Sequence, residues 1–211
     1  MILTCGTKVV MLKKLIALFF ISTTAPAMAH LTWIEAGEQS LGLSTGHNFP
    51  AKEITVKGEY VQTIRCTTVV GELFELGFDA QSIRYVYPKK PANCVAQLKT
   101  TLIELTPAQG VQHFSENKVS KTLIDQVRAK QKFEEVYFKL AQIKPVLVGD
   151  PLYNKDIAQF VSKPDDPKTI YVYKNGEPVP NLPVGLEYPE TPITLWSNTD
   201  AEGKVKLILQ P

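Results

Sequence analysis

From Leu31 to about Leu105 the apolar residues fall in short stretches separated by turn formers. The stretches are Leu31 to Ile34, Leu41 to Thr45, Glu53 to Lys57, Tyr60 to Val70, Ile83 to Tyr87 and Cys94 to Leu105. Stretches of this length, rich in β-branched and aromatic residues, predict strands. In the last of them Val95, Gln97, Lys99 and Thr101 alternate with Ala96, Leu98, Thr100 and Leu102. An alternation of period two places one set on a buried face, and several such strands at close spacing predict a β-sandwich.

Between Asn117 and Ile143 the period lengthens. Val119, Leu123 and Val127, then Phe133, Val136, Tyr137 and Leu140, recur at three- and four-residue intervals, which predicts one amphipathic helix or two with a break near Lys130. This segment reads as a helical connector that closes one edge of the sandwich. After Lys144-Pro145 strands resume at Pro145 to Val148, Thr169 to Tyr173, Leu182 to Leu186, Ile193 to Trp196 and Lys204 to Leu209. Asn175-Gly176 and Asp200 to Gly203 between them carry hairpin-turn chemistry, and the acidic spacing of the latter does not match a calcium loop. The chain is mainly β, with a helical connector and a second, smaller β-domain. That domain has few strands by Gln210-Pro211, so it is expected to be a small open unit or to lack its natural end.

The first residues change the picture. Met11 to Ala29 has a basic start, a short apolar run and an A-x-A ending, the three parts of a secretory signal. Residues 1–29 are thus expected to be a leader whose true start is Met11, and cleavage after Ala29 leaves His30 first. The run from Leu15 to Ile21 is far shorter than the roughly 20 residues that cross a bilayer, so no permanent anchor is expected. The formal charge is +2. Removing Lys8, Lys13 and Lys14 puts the 21 acidic side chains slightly ahead, so no basic field points to nucleic acid. Cys5 leaves with the leader. Cys66 and Cys94 remain as an even pair that an oxidising compartment favours as a disulfide; a two-thiolate metal site is the competing reading.

Only three histidines exist, His30, His47 and His113. A histidine at a free amino end offers an amine and a ring nitrogen to the same ion, and a second imidazole adds a third nitrogen. Such donors suit copper, nickel, cobalt and zinc. His47, in the Gly46-His-Asn-Phe-Pro50 turn, is the partner expected from the sequence, against the plainer reading of a residue that packs or caps its turn. His113, in a polar stretch before the predicted helix, is the third candidate, against the reading of a solvated loop residue. Glu35 and Glu38 offer carboxylates near the first strand, although solvated surface acids are the default. Tyr85, Tyr87, Tyr137, Tyr171 and Tyr173 read as sheet packing. No nucleophile elbow, P-loop or zinc-protease motif is present, so no catalytic residue is assigned.

The chain from His30 to Pro211 resembles domain-of-unknown-function family 4198, exported proteins often described as periplasmic nickel or cobalt uptake components. The matching pieces are Ala29-His-Leu-Thr-Trp-Ile-Glu35, Gly46-His-Asn-Phe-Pro50, Thr101-Leu-Ile-Glu-Leu105, Phe133-Glu-Glu-Val-Tyr-Phe-Lys-Leu-Ala141, Val148-Gly-Asp-Pro-Leu152, Asn175-Gly-Glu-Pro-Val179 and Thr199-Asp-Ala-Glu-Gly-Lys204. The resemblance implies an immunoglobulin-like or transthyretin-like sandwich over 30–116, a connector over 117–143 and a carboxypeptidase-regulatory-like β-domain over 144–211. It also implies a further strand beyond Pro211. The expectation is a periplasmic or secreted protein that binds nickel, cobalt or copper through His30 and His47, with a membrane metal importer as its implied partner. Two other readings stay open: a copper-dependent oxidase or monooxygenase built on the same amino-terminal histidine, and a non-catalytic envelope interaction module.

Overall fold

The computed structural model describes residues 31–137, 139–188 and 191–207. The leader, His30 and the closing Gln210-Pro211 lie outside the described residues. The first half of the chain supplies β1 (Leu31–Ala36), β2 (Ser40–Gly46), β3 (Ile54–Thr55), β4 (Val61–Thr67), β5 (Leu73–Glu75), β6 (Arg84–Val86) and β7 (Asn93–Leu98). Next come β8 (Thr101–Leu105), α1 (Pro107–Glu116), α2 (Lys121–Arg128), β9 (Phe133–Tyr137) and β10 (Leu140–Gln142). The remainder forms β11 (Val146–Leu147), β12 (Gln159–Lys163), β13 (Asp166–Lys174), β14 (Glu177–Pro178), β15 (Pro183–Tyr188), β16 (Thr191–Asn198) and β17 (Lys204–Lys206). The molecule is mainly β, as the strand patterning predicts.

Two four-stranded sheets frame the first core. In one, β2 pairs with β1 along one edge, while β3 and β6 share its other edge. In the other the order is β10-β7-β4-β5. Leu41, Leu43, Val61, Ile64, Tyr85 and Ala96 are buried together here. Each fully buried Leu or Ile side chain contributes roughly 1.5–3 kcal/mol. Cys66 and Cys94 face each other across β4 and β7 and form a disulfide. That settles the cysteine question: with both sulfurs in one bond, the two-thiolate metal site is excluded.

The period-two pattern of β7 has a further consequence. Cys94, Ala96 and Leu98 face the first core, whereas Val95 joins a second cluster with Val146, Leu152, Val161 and Tyr171. A single strand is thus buried on both faces and ties the two halves of the chain together. The second half is built on the sheet β11-β12-β13-β14, with β17 also pairing to β13. The Asn175-Gly176 turn takes the left-handed conformation at both residues, with φ of 55° and 80°, as a tight hairpin requires. The Asp200 carboxylate accepts from the backbone N–H groups of Glu202 and Lys204, so this loop is the expected turn.

The connector departs from expectation in two places. A helix begins at Pro107, ahead of the predicted start, and Phe133 to Tyr137 is a strand. Thr106 caps α1 in a reciprocal box with Gln109, and Pro107 occupies the first turn, a strong start signal. Phe133, Val136 and Tyr137 have helical spacing, but β9 pairs along its whole length with β8. The ladder overrides the local period because this β-branched and aromatic segment gains more from a partner strand than from an isolated turn of helix. Gly110 lets α1 lie against the Phe133 ring: a Cβ at that position would overlap the ring and reach within 2.8 Å of Val127 Cγ1.

Candidate functional site

The β1–β2 ladder runs from Ala36 opposite Leu41 to Leu31 opposite Gly46. Beyond Gly46 the chain turns back on itself. Asn48 bridges to Ala51 across a cis Phe49–Pro50 bond, and the Glu53 N–H donates to the Thr45 carbonyl at 3.1 Å. Glycine is needed at 46 because a Cβ there would stand 2.6 Å from the Ala51 carbonyl oxygen. The turn is fastened to β1 from two sides. Phe49 packs edge-on against Trp33 with ring centroids 5.4 Å apart, and Lys52 reaches Glu35 at 3.3 Å.

This geometry brings Glu53 to His47. The His47 backbone N–H donates to Glu53 Oε1 at 3.1 Å, and the ring Nδ1 lies 2.7 Å from each carboxylate oxygen. A carboxylate accepts only, so Nδ1 carries the proton; the neutral ring then bears its lone pair at Nε2. Carboxylate–imidazole pairs of this kind orient histidines that ligate metals. The site is half-exposed, with side-chain exposures of 27% for His47 and 43% for Glu53.

The other candidates are placed elsewhere. His113 belongs to α1, not to a loop, and its Nε2 is 3.4 Å from Glu135 Oε2 on β9, with both side chains largely buried. Glu35 is taken up by Lys52. Burial raises its pKa, but hydrogen bonding and the charges of Lys52 and Arg84 outweigh that and hold the carboxyl below its ordinary value. Glu38 is exposed in the β1–β2 connection. Among the described residues no group of three or more His, Cys, Asp or Glu side chains stands together as a metal-ligand set. His30, the central ligand expected from the sequence, lies outside those residues.

Tyr85, Tyr87 and Tyr171 are buried in the two cores, as expected of sheet aromatics. Glu53 is the residue that sequence reasoning missed. Its acid group is six positions from His47 and within a predicted strand, and only the folded turn joins the two. No helix among the described residues is long and apolar enough to cross a membrane. No family model, curated protein or solved structure matches the chain.

Proposed function

We propose that the chain is an exported transition-metal-binding protein in which His30, once freed as the first residue, and His47 grip one nickel, cobalt or copper ion. The observation that carries this reading is the register of the ladder: Leu31, which follows His30, pairs with Gly46, which precedes His47. That register sets the first described residue, Leu31, beside the start of the turn that carries His47, which supports a shared site. The donor chemistry also fits. Glu53 holds the His47 Nδ1 proton and leaves Nε2 as the ligating nitrogen, while an amino-terminal histidine contributes an amine and an imidazole. Such ligands must be deprotonated, so metal binding and proton binding compete.

The wider reading belongs to the same proposal. It includes the resemblance to family 4198, an immunoglobulin-like or transthyretin-like first domain, a carboxypeptidase-regulatory-like second domain, a leader cleaved after Ala29, and delivery of the ion to a membrane importer. Two four-stranded sheets around one core, and a disulfide within one of them of the kind that persists outside the cytosol, support it. The test is calorimetry with nickel, cobalt and copper salts on protein that begins at His30. One-to-one binding that is lost when an alanine precedes His30 is expected. Affinity no tighter than millimolar for all three ions would end the proposal.

A further inference from the structure

The β4–β5 hairpin ends in a turn whose geometry is set by Thr68 and Gly71. The Gly71 N–H donates to the Thr68 carbonyl at 3.0 Å, and the Thr68 N–H donates to the Glu72 carbonyl at 3.0 Å. Gly71 stands in the left-handed region with φ of 82°, as the glycine that closes a three-residue hairpin loop does. At the apex are Val69 and Val70, 88% and 83% exposed, the most exposed large apolar side chains among the described residues. Leu73, at the start of β5, is exposed as well.

Nothing in this turn calls for valine. Apex positions ordinarily hold proline, aspartate, asparagine, serine or glycine, and branched side chains belong in strands, where neighbours cover them. The base of the hairpin is braced: Cys66 is bonded to Cys94, and the Ala92 N–H donates to the Thr67 carbonyl at 2.7 Å. The second contact holds the end of the Pro88-Lys89-Lys90-Pro91 loop against the hairpin. Lys89 reaches Glu72, and Lys90 is exposed next to it in the chain. Of the three charged side chains in the turn and this loop, two are lysines.

We propose that the hairpin tip is a membrane contact, in which Val69 and Val70 enter the headgroup boundary of an anionic lipid surface and the Lys89-Lys90 loop meets its phosphates. Single exposed apolar residues are ordinary, whereas a contiguous exposed set marks a contact surface. A lipid boundary closes around a convex apex without needing a matching pocket, and the excess of lysine beside it suits anionic headgroups. Two valines with one or two lysines give a weak, reversible attachment, since even one acyl chain holds a protein only marginally. The inference does not rest on the metal reading, since none of these residues is a candidate ligand.

The test is co-sedimentation with vesicles of phosphatidylglycerol, or of phosphatidylcholine alone, in EDTA. The chain beginning at His30 is used because the apolar run from Leu15 to Ile21 would bind lipid by itself. Near-ultraviolet circular dichroism checks that this chain and each variant are folded. Binding to phosphatidylglycerol is expected with half-saturation at lipid concentrations on the order of millimolar, and about fivefold weaker on phosphatidylcholine. Val69→Ser/Val70→Ser should weaken it by about tenfold, and Lys90→Gln by about fivefold on the anionic vesicles alone. Val136→Ser, which alters another exposed valine on β9, should leave it unchanged. No binding to phosphatidylglycerol vesicles at millimolar lipid, equal binding to both lipids, or unchanged affinity in the double valine variant would overturn the assignment.

Discussion

His47 Nδ1 lies 2.7 Å from both carboxylate oxygens of Glu53, and the pair exists because a seven-residue turn folds β3 back against the end of β2. Glu53 is thereby the group that holds the Nδ1 side of the His47 ring. Replacing it tests the arrangement without touching any proposed ligand. Glu53→Gln should lower copper or nickel affinity by about 10- to 100-fold, the usual effect of removing such a supporting carboxylate, and calorimetry on the processed chain reads it directly. The change should leave thermal stability within about 0.5 kcal/mol, as expected for a half-exposed residue.

The Cys66–Cys94 bond closes a loop with a sequence separation of 28. On the loop-entropy estimate it stabilises the fold by about 3–4 kcal/mol. A Cys66→Ala/Cys94→Ala double variant should unfold in urea with that loss, at an m-value near the parent's. A loss under about 1 kcal/mol would mean that the β4–β7 pairing is held by its hydrogen bonds and packing alone.

Gly110 shows how packing reverses a local preference. In a solvent-exposed helix, glycine to alanine stabilises by about 1 kcal/mol. At this position the added methyl overlaps the Phe133 ring and crowds Val127, so Gly110→Ala should destabilise by about 1–3 kcal/mol. Combining it with Phe133→Leu should recover part of that loss, since the smaller side chain yields the space. Denaturant unfolding of the two single variants and the double variant measures the coupling.

Lys139 makes stability depend on pH in a defined direction. Its pKa falls from 10.5 unfolded to about 8 folded because burial disfavours the ammonium. Between those values the unfolded chain binds more protons, so stability rises with pH through this window. The contribution is complete above the unfolded value and lost as pH falls through about 8. Tyr85 and Tyr137, both raised by burial, act in the opposite sense above the ordinary tyrosine value. The rise should therefore be sought between about pH 8 and 10. Lys139 lines a cleft together with Lys57, Lys99, Tyr60 and Tyr137, and Glu135 acts on Tyr137. Comparison of parent and Lys139→Met by urea unfolding isolates the slope, which should flatten in the variant.

The sequence makes the first pair of sheets readable because their strands alternate and their turns carry glycine and proline. The stretches containing β1, β2, β4, β6 and β7 are all apparent, as is the cysteine pair. The Thr106-Pro-Ala-Gln109 start of α1 carries a capping-box signal ahead of the segment where the helical period is clearest. Phe133 to Tyr137 is a different case. Its side-chain spacing is compatible with helix, and only pairing with Thr101 to Leu105, some thirty positions earlier, decides for strand. At the site, His47 stands out in the sequence through its turn and the scarcity of histidine. Its pairing with Glu53 does not, because a contact made by chain reversal leaves no periodic trace. Glu35 was the more visible acid, yet Lys52 takes it.

The most direct measurement is the electron paramagnetic resonance spectrum of one equivalent of copper(II) bound to protein whose first residue is His30. The account predicts nitrogen hyperfine structure from an amine and two imidazoles, reduced by one imidazole in His47→Ala and replaced by a weaker, different site when an alanine precedes His30. A spectrum that is unchanged by both alterations would contradict it.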